Sequence, residues 1–190
     1  MDKNAICIIG PPGTGKTFLA SEIVDSDRSK ILQMDDIEFL FFQEHNRMPN
    51  KEEWIMLLKE CLKRQYLVTE GFYYESIEPR LAVSDIIIYY NAGTIRCVLR
   101  AIKRGFFNLF TTTSVHEMTR RNYWERLKYY FSPHIYLRII NFNKKYKSYI
   151  EERLKSADMV NKKIYVIRTI REAREVVDNI KQLLGSVLVT

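Results

Sequence analysis

A chain of 190 residues with 46% hydrophobic and 28% charged side chains is long enough to bury one soluble globular core and is read as a single domain spanning 1–190. No apolar run approaches the ~18 residues of a membrane span, and the first strand is too short for a signal-peptide core, so a cytoplasmic protein with no membrane partner is expected. The net charge of +7 is unevenly spread, with 10 basic and 15 acidic side chains in residues 1–95 but 20 and 8 in residues 96–190, which fits either a nucleic-acid surface or arginines gathered around a polyphosphate.

Ala5 to Ile9 is an apolar run rich in β-branched residues and predicts a buried parallel strand. Gly10-Pro11-Pro12-Gly13-Thr14-Gly15-Lys16-Thr17 follows at once and fits the phosphate-cradling pattern G-x-x-x-x-G-K-[ST] at every fixed position. From Phe18 the chain continues as a helix with apolar positions at 19, 20, 23 and 24. Each residue type has a physical reason. Glycines let backbone N–H groups wrap phosphate oxygens without a Cβ in the way. The helix behind them points free N–H groups and its positive dipole end at the same anion. Lys16 places a point charge on the β- and γ-phosphates, and the Thr17 hydroxyl ligates Mg²⁺. The cradle is therefore expected from Gly10, Pro12, Gly13, Thr14 and Gly15 through Lys16, Thr17 and Phe18, around ATP with magnesium.

Residues 25–29 read as a loop and Lys30 to Met34 as a second strand ending at Asp35-Asp36. An aromatic run, Phe39 to Phe42, and a polar loop to Pro49 come next. Asn50 and Glu53 resemble a capping box opening a helix to about Arg64, with Trp54, Leu57, Leu58, Cys61 and Leu62 at helical spacing. Tyr66 to Thr69 is a third strand closed by Glu70-Gly71, Pro79 to Ser84 one helical turn, and Asp85 to Tyr90 a fourth strand. A helix from Thr94 to about Lys103 carries Arg96, Arg100 and Arg104 on one face, and residues 105–113 break its pattern. Ser114 with Glu117 caps a helix bearing Arg120, Arg121 and Arg126. Ser132-Pro133 opens a long helix with Ile135, Ile139, Phe142, Tyr146 and Ile150 inward. Lys163 to Ile167 is a fifth strand. Thr169 with Glu172 caps the last helix, whose apolar face runs from Ile170 through Ala173, Val176, Val177 and Ile180 to Leu183 and Leu184, and Gly185 ends it. Cys7, Cys61 and Cys97 are dispersed, without metal-ligand spacing, and read as reduced structural thiols. His45, His116 and His134 are scattered and read as surface residues.

Strands alternating with helices give an α/β fold with a parallel sheet. Ligands in such folds sit beyond the carboxyl ends of the strands. Gly10, Asp35, Glu70 and Asn91 each follow a predicted strand and are expected to share one rim.

Taken together, the P-loop, the strand ending in Met34-Asp35, the segment Thr69-Glu70-Gly71-Phe72-Tyr73, and Ser84 to Tyr89 followed by Arg100 and Arg104 resemble a P-loop kinase of the adenylate kinase type. Among these, the pattern is most similar to the small adenylate-kinase-related DNA topology modulation proteins. The resemblance runs from Ile6 to about Leu184. It implies a three-layer P-loop NTPase fold with strand order 2-3-1-4-5, helices on both faces and a helical lid over residues 105–133. It implies that Asp35 lies near an acceptor hydroxyl and that Glu70 stands with Thr17 at the magnesium, orienting its water. Arg100 is implied to cover the adenine ring and Arg104 to contact phosphate, with Arg120, Arg121 or Arg126 supplying lid charge and Arg126 placed among the catalytic groups. Two departures matter. Adenylate kinases grip the AMP phosphate with an arginine after the second-strand aspartate and another in a Gly-Phe-Pro-Arg turn. Here those places hold Ile37-Glu38-Phe39 and Gly71-Phe72-Tyr73-Tyr74, so a hydroxyl-bearing acceptor is expected rather than a nucleoside monophosphate.

Phosphoryl transfer from ATP to an unidentified acceptor is thus the leading expectation. A nucleotide-binding regulator of DNA is the alternative, resting on the 14 basic and 4 acidic residues of 96–155. An ATPase motor is not supported, because no apolar strand ends in an Asp-Glu pair.

Overall fold

Ile6, Cys7, Ile8 and Ile9 have no accessible surface. Consecutive side chains of a strand point to opposite faces, so a strand with none exposed must be covered on both. The computed structural model describes residues 5–64, 66–110 and 131–187, and this strand, β1 (Ile6–Ile9), lies at the middle of its sheet. β2 (Ile31–Gln33), β3 (Val68–Glu70), β4 (Ile86–Tyr90) and β5 (Lys163–Ile167) complete it. All pairings are parallel, in the order β2-β3-β1-β4-β5. This is the α/β P-loop arrangement expected from the sequence. The apolar strands β1 and β4 are wholly buried, whereas β5, at an edge, leaves Lys163 and Val166 in solvent. Each isoleucine hidden in this way contributes about 1.5–3 kcal/mol.

The helices are α1 (Lys16–Ile23), α2 (Met34–His45), α3 (Lys51–Leu62), α4 (Ile77–Val83), α5 (Thr94–Phe110), α6 (Pro133–Lys145), α7 (Lys147–Arg153) and α8 (Ile170–Val187). By contact the chain forms two compact units. One takes in residues up to Gly10, Gly15–Asn91 and Ser156 onward; the other takes in Pro11–Thr14 and Ala92–Lys155.

In the first unit α1 packs on α8 and on the sheet, while α4 packs on β1 and α3. Asn50 caps α3 as its sequence foretold. Its side chain accepts from the Glu53 N–H at 2.9 Å, and the Glu53 carboxylate accepts from the Asn50 N–H at 2.9 Å. Trp54 and Leu58 turn inward against Leu32, Met34 and Ile37. Thr169 and Glu172 likewise start α8, the Glu172 N–H donating to Thr169 Oγ1 at 3.2 Å.

Several boundaries differ from expectation. Met34 belongs to α2, not to a strand, and 34–45 is helix where an aromatic stretch and loop were read. Met34, Ile37 and Phe41 are its buried positions, at helical spacing, while Leu40 and Phe42 face solvent. Glu70 is the last residue of β3 rather than the one after it. Ile170 is exposed, and α8 runs past Gly185 to Val187, the glycine being a tolerated exposed interior position.

In the second unit α5 and α6 pack together around Cys97, Ala101, Ile139 and Phe142. α5 continues through Gly105 to Phe110 where a break was expected. Gly105 is buried, and burial overrides its poor helix propensity. The expected long helix is instead α6 and α7, divided at Tyr146, whose φ of −122° and ψ of −17° leave the helical range. Ser114, Glu117, Arg120, Arg121 and Arg126, the centre of the expected lid, lie outside the described residues. No described helix is long and apolar enough to cross a membrane.

Candidate active site

The chain leaves β1 at Gly10 and enters α1 at Lys16, with Gly15 in the left-handed conformation (φ +96°) as the preceding cap. Nothing in the helix can pair the first N–H groups of α1, which remain donors at its positive end. Within the second unit, Thr14 is fully buried and its hydroxyl donates to the Pro11 carbonyl at 3.0 Å. Gly13, at φ +81°, passes so close to α5 that a Cβ there would lie 2.6 Å from the Cys97 carbonyl oxygen. Arg100 donates to the Thr14 carbonyl. The side chain of Thr14 is therefore spent on the loop, leaving only its backbone for a ligand. Phe18, placed in the cradle by sequence, is 66% exposed.

Within the first unit, Lys16 is 9% exposed and Glu70 5% exposed. Thr17, next along α1, donates its hydroxyl to Glu70 Oε1 at 2.8 Å. Burial pushes the Glu70 carboxyl above the usual range; the Lys16 ammonium and the Thr17 hydroxyl oppose that shift, and the Asp35 charge adds to it. These couplings put Lys16, Thr17, Glu70 and Asp35 in one electrostatic neighbourhood, built from the ends of β1 and β3 and the starts of α1 and α2. A hydroxyl and a carboxylate side by side are hard oxygen donors, the set that suits Mg²⁺. Among the described residues no three His, Cys, Asp or Glu side chains converge into a metal cage.

Asp35 lies in the first turn of α2. It accepts from the Tyr73 hydroxyl at 3.1 Å, and the same hydroxyl donates to Glu38 one turn further on. Burial first, then the Asp35 and Glu38 charges, hold the phenol far above its ordinary pKa. The Tyr73 ring packs on Trp54 with centroids 4.7 Å apart, and the Trp54 Nε1–H is buried with no described acceptor. Gly71 makes this approach possible. Its φ is +117°, and a Cβ there would meet Met34 Cβ at 2.9 Å.

Of the arginine row, Arg100 is half-buried while Arg96 and Arg104 are exposed on α5. Three groups escaped the sequence reading as site residues: Tyr73, Glu38 and Arg80. Glu38 was visible only as one turn from Asp35. Tyr73 closes the segment Thr69 to Tyr73, in which nothing local marks its hydroxyl for a role. Arg80 is fully buried; its signal was a single cation at helical spacing with Ile77, Leu81 and Ser84. A separate depression lined by Lys163, Tyr165, Asn179, Gln182 and Leu183 has none of this chemistry.

No protein-family model and no curated protein sequence matches the chain. Among solved structures, it is similar in fold to a shikimate kinase from Acinetobacter baumannii in complex with shikimate, at 17% identity and a TM-score of 0.57, over 99% of this chain and 96% of that one.

Proposed function

We propose that this chain is an ATP-dependent phosphotransferase acting on a small hydroxyl-bearing acceptor. The observation that carries the reading is the Thr17 hydroxyl paired with the Glu70 carboxylate at 2.8 Å, one residue from a buried P-loop lysine. In this reading the backbone of Gly10, Pro12, Gly13, Thr14, Gly15 and Phe18 cradles the phosphates. Lys16 neutralises charge on the β- and γ-phosphates; Thr17 and Glu70 would hold Mg²⁺, which would supply further positive charge to stabilise the transferring group. Asp35 accepts the proton of the attacking hydroxyl, that oxygen bonds to the γ-phosphorus of ATP, and the bond to the β-phosphate breaks to release ADP. The roles that the resemblance gives Arg100, Arg104 and Arg126, on the base and on the phosphoryl group, belong to the same proposal.

The fold likeness to a shikimate kinase supports a small molecule as acceptor. The carboxylates of Asp35 and Glu38, joined through Tyr73, narrow it further. An anionic group brought to about 4 Å from one of them is repelled by about 1 kcal/mol even at the dielectric of bulk water. A neutral or cationic alcohol fits. Calorimetry tests the core of the reading: ATP with Mg²⁺ binds the wild type, and Lys16→Ala loses that binding. Equal affinity in the two proteins would end it. Phosphorus NMR of ATP with a panel of alcohols then reads the acceptor.

A second reading, a nucleotide-dependent regulator of DNA, has in its favour the exposed basic side chains Arg96, Lys103, Arg104, Arg138, Lys144 and Lys145.

A further inference from the structure

Arg80 sits in α4 with no accessible surface, and all but one of its side-chain hydrogen bonds go to the ends of β1 and β3 and the turn after them. The β1–β3 ladder stops at the pair Ile8 and Glu70. Beyond it Gly71 turns the chain aside at φ +117°, and carbonyl oxygens on both sides of that turn have a second lone pair to offer. The guanidinium supplies the donors. Nη2 donates to the Ile8 carbonyl at 2.9 Å and the Thr69 carbonyl at 3.1 Å. Nη1 donates to the Gly71 carbonyl at 2.9 Å and Ser76 Oγ at 3.4 Å, and Nε to Thr69 Oγ1 at 3.2 Å. The residues before and after Glu70 are thereby pinned by one planar fork. α4 is itself fixed at its far end, where Lys162 donates to the Ala82 carbonyl at 3.1 Å and the Ser84 carbonyl at 2.7 Å.

A buried cation is a costly way to fill space, and an apolar side chain of similar volume packs a helix on a sheet at least as well. Three of the five bonds fall on the residues either side of Glu70, and the cation's charge favours the carboxylate between them. We propose that Arg80 is a positioning residue that holds Glu70 against Thr17 for magnesium, an inference that rests on the phosphotransferase reading of that pair. Arg is required rather than Lys because only the planar fork reaches the Ile8, Thr69 and Gly71 carbonyls at once.

The test measures metal binding rather than turnover. Mn²⁺ affinity is read by electron paramagnetic resonance with a non-hydrolysable ATP analogue bound, for wild type, Arg80→Lys, Thr69→Val and Glu70→Gln. Calorimetry of the analogue in EDTA accompanies it, and circular dichroism checks folding. Arg80→Lys is expected to weaken Mn²⁺ about 10- to 100-fold, the range seen when a group orienting a metal ligand is lost. Metal-free analogue affinity should hold. Thr69→Val, which removes one acceptor and keeps the cation, should weaken Mn²⁺ by a smaller factor. A folded Arg80→Lys with wild-type Mn²⁺ affinity, or one whose metal-free analogue affinity falls in step, overturns the proposal. If Arg80→Lys does not fold, Thr69→Val decides by the same two criteria. Glu70→Gln separates the levels. Unchanged Mn²⁺ affinity there sinks the magnesium reading and this inference together, whereas a loss there with none in Arg80→Lys sinks the role of Arg80 alone.

Discussion

Tyr73 shows how one hydroxyl can decide the chemistry of a rim. Asp35 and Glu38 are three apart on α2 and so share a face, where like charges repel. The Tyr73 hydroxyl donates to both, which holds Asp35 at one edge of the site. Burial and the two carboxylates raise the phenol pKa, which favours Tyr73 as a hydrogen-bond donor rather than as the base. In the proposed reaction that role is given to Asp35. Tyr73→Phe is therefore expected to lower kcat/KM for the acceptor by about tenfold or more, since a hydrogen bond to a charged group is worth roughly 1.5–3 kcal/mol. ATP affinity should not change, because the lost hydroxyl contacts neither Lys16 nor Thr17. Wild-type acceptor kinetics in Tyr73→Phe would remove Tyr73 from the mechanism. Gly71, two residues earlier, makes a separate prediction. Gly71→Ala must hold φ +117° with a Cβ 2.9 Å from Met34 Cβ, a strained state costing about 1–3 kcal/mol. Denaturant unfolding at full wild-type stability would show that the turn relaxes freely.

At the scale of elements, α2 and α3 are joined by a clasp whose pH response can be worked out. Arg47, just beyond α2, makes two hydrogen bonds to the Glu53 carboxylate, at 2.6 and 2.7 Å, and its guanidinium lies 5.2 Å from the centre of the Phe41 ring. Hydrogen bonds from Arg47, then from the Asn50 backbone, depress the Glu53 pKa from 4.5 to about 2. A depressed carboxylate stabilises the fold fully above its unfolded pKa and loses that contribution as pH falls toward the folded one. The melting temperature of the wild type should therefore exceed that of Glu53→Gln at neutral pH, and the gap should close between pH 4.5 and about 2. A gap that persists unchanged to the acid end would mean the clasp is not ionic. Asn50 and Glu53 were legible in the sequence because capping is local, set by two side chains three residues apart. The strands were legible for a similar reason, as short β-branched runs between turns. α2 was not, because Phe39 to Phe42 is apolar on every side and hides the spacing of Met34, Ile37 and Phe41. The end of α5 was missed because Gly105 is a helix breaker by composition and a buried helical position by packing. Lys16, Thr17 and Glu70 could be read from a motif and a strand end. Arg80 could not, since its meaning depends on carbonyls of Ile8 and Gly71 that only the folded sheet brings to it.

For the whole molecule the open question is what its basic half serves. Residues 96–155 carry 14 basic and 4 acidic side chains, and several of those on α5 and α6 face solvent. If they serve DNA, they must neutralise phosphates of a duplex and release counterions. Six such contacts cost about 10³-fold or more in affinity between 50 and 200 mM salt. Neutralising Lys144, Lys145 and Lys147 together would then weaken the complex further, and Lys16→Ala would leave it intact. If they serve phosphoryl transfer, the cations matter to one triphosphate and the polymer is incidental. Arg126→Ala should then slow phosphoryl transfer without changing a weak, salt-sensitive affinity for DNA. Lys144, Lys145 and Lys147 should be replaceable without loss of turnover. The second outcome is expected, because Arg100 is already engaged on the loop through the Thr14 carbonyl, and the buried lysine, hydroxyl and carboxylate at the rim have no use in holding DNA. Fluorescence anisotropy with a labelled duplex at 50 and 200 mM salt, set beside a coupled ADP-release assay on the same variants, distinguishes the two. Sub-micromolar DNA binding at physiological salt that survives Lys16→Ala would reverse the assignment and make the nucleotide a regulator of a DNA-binding protein.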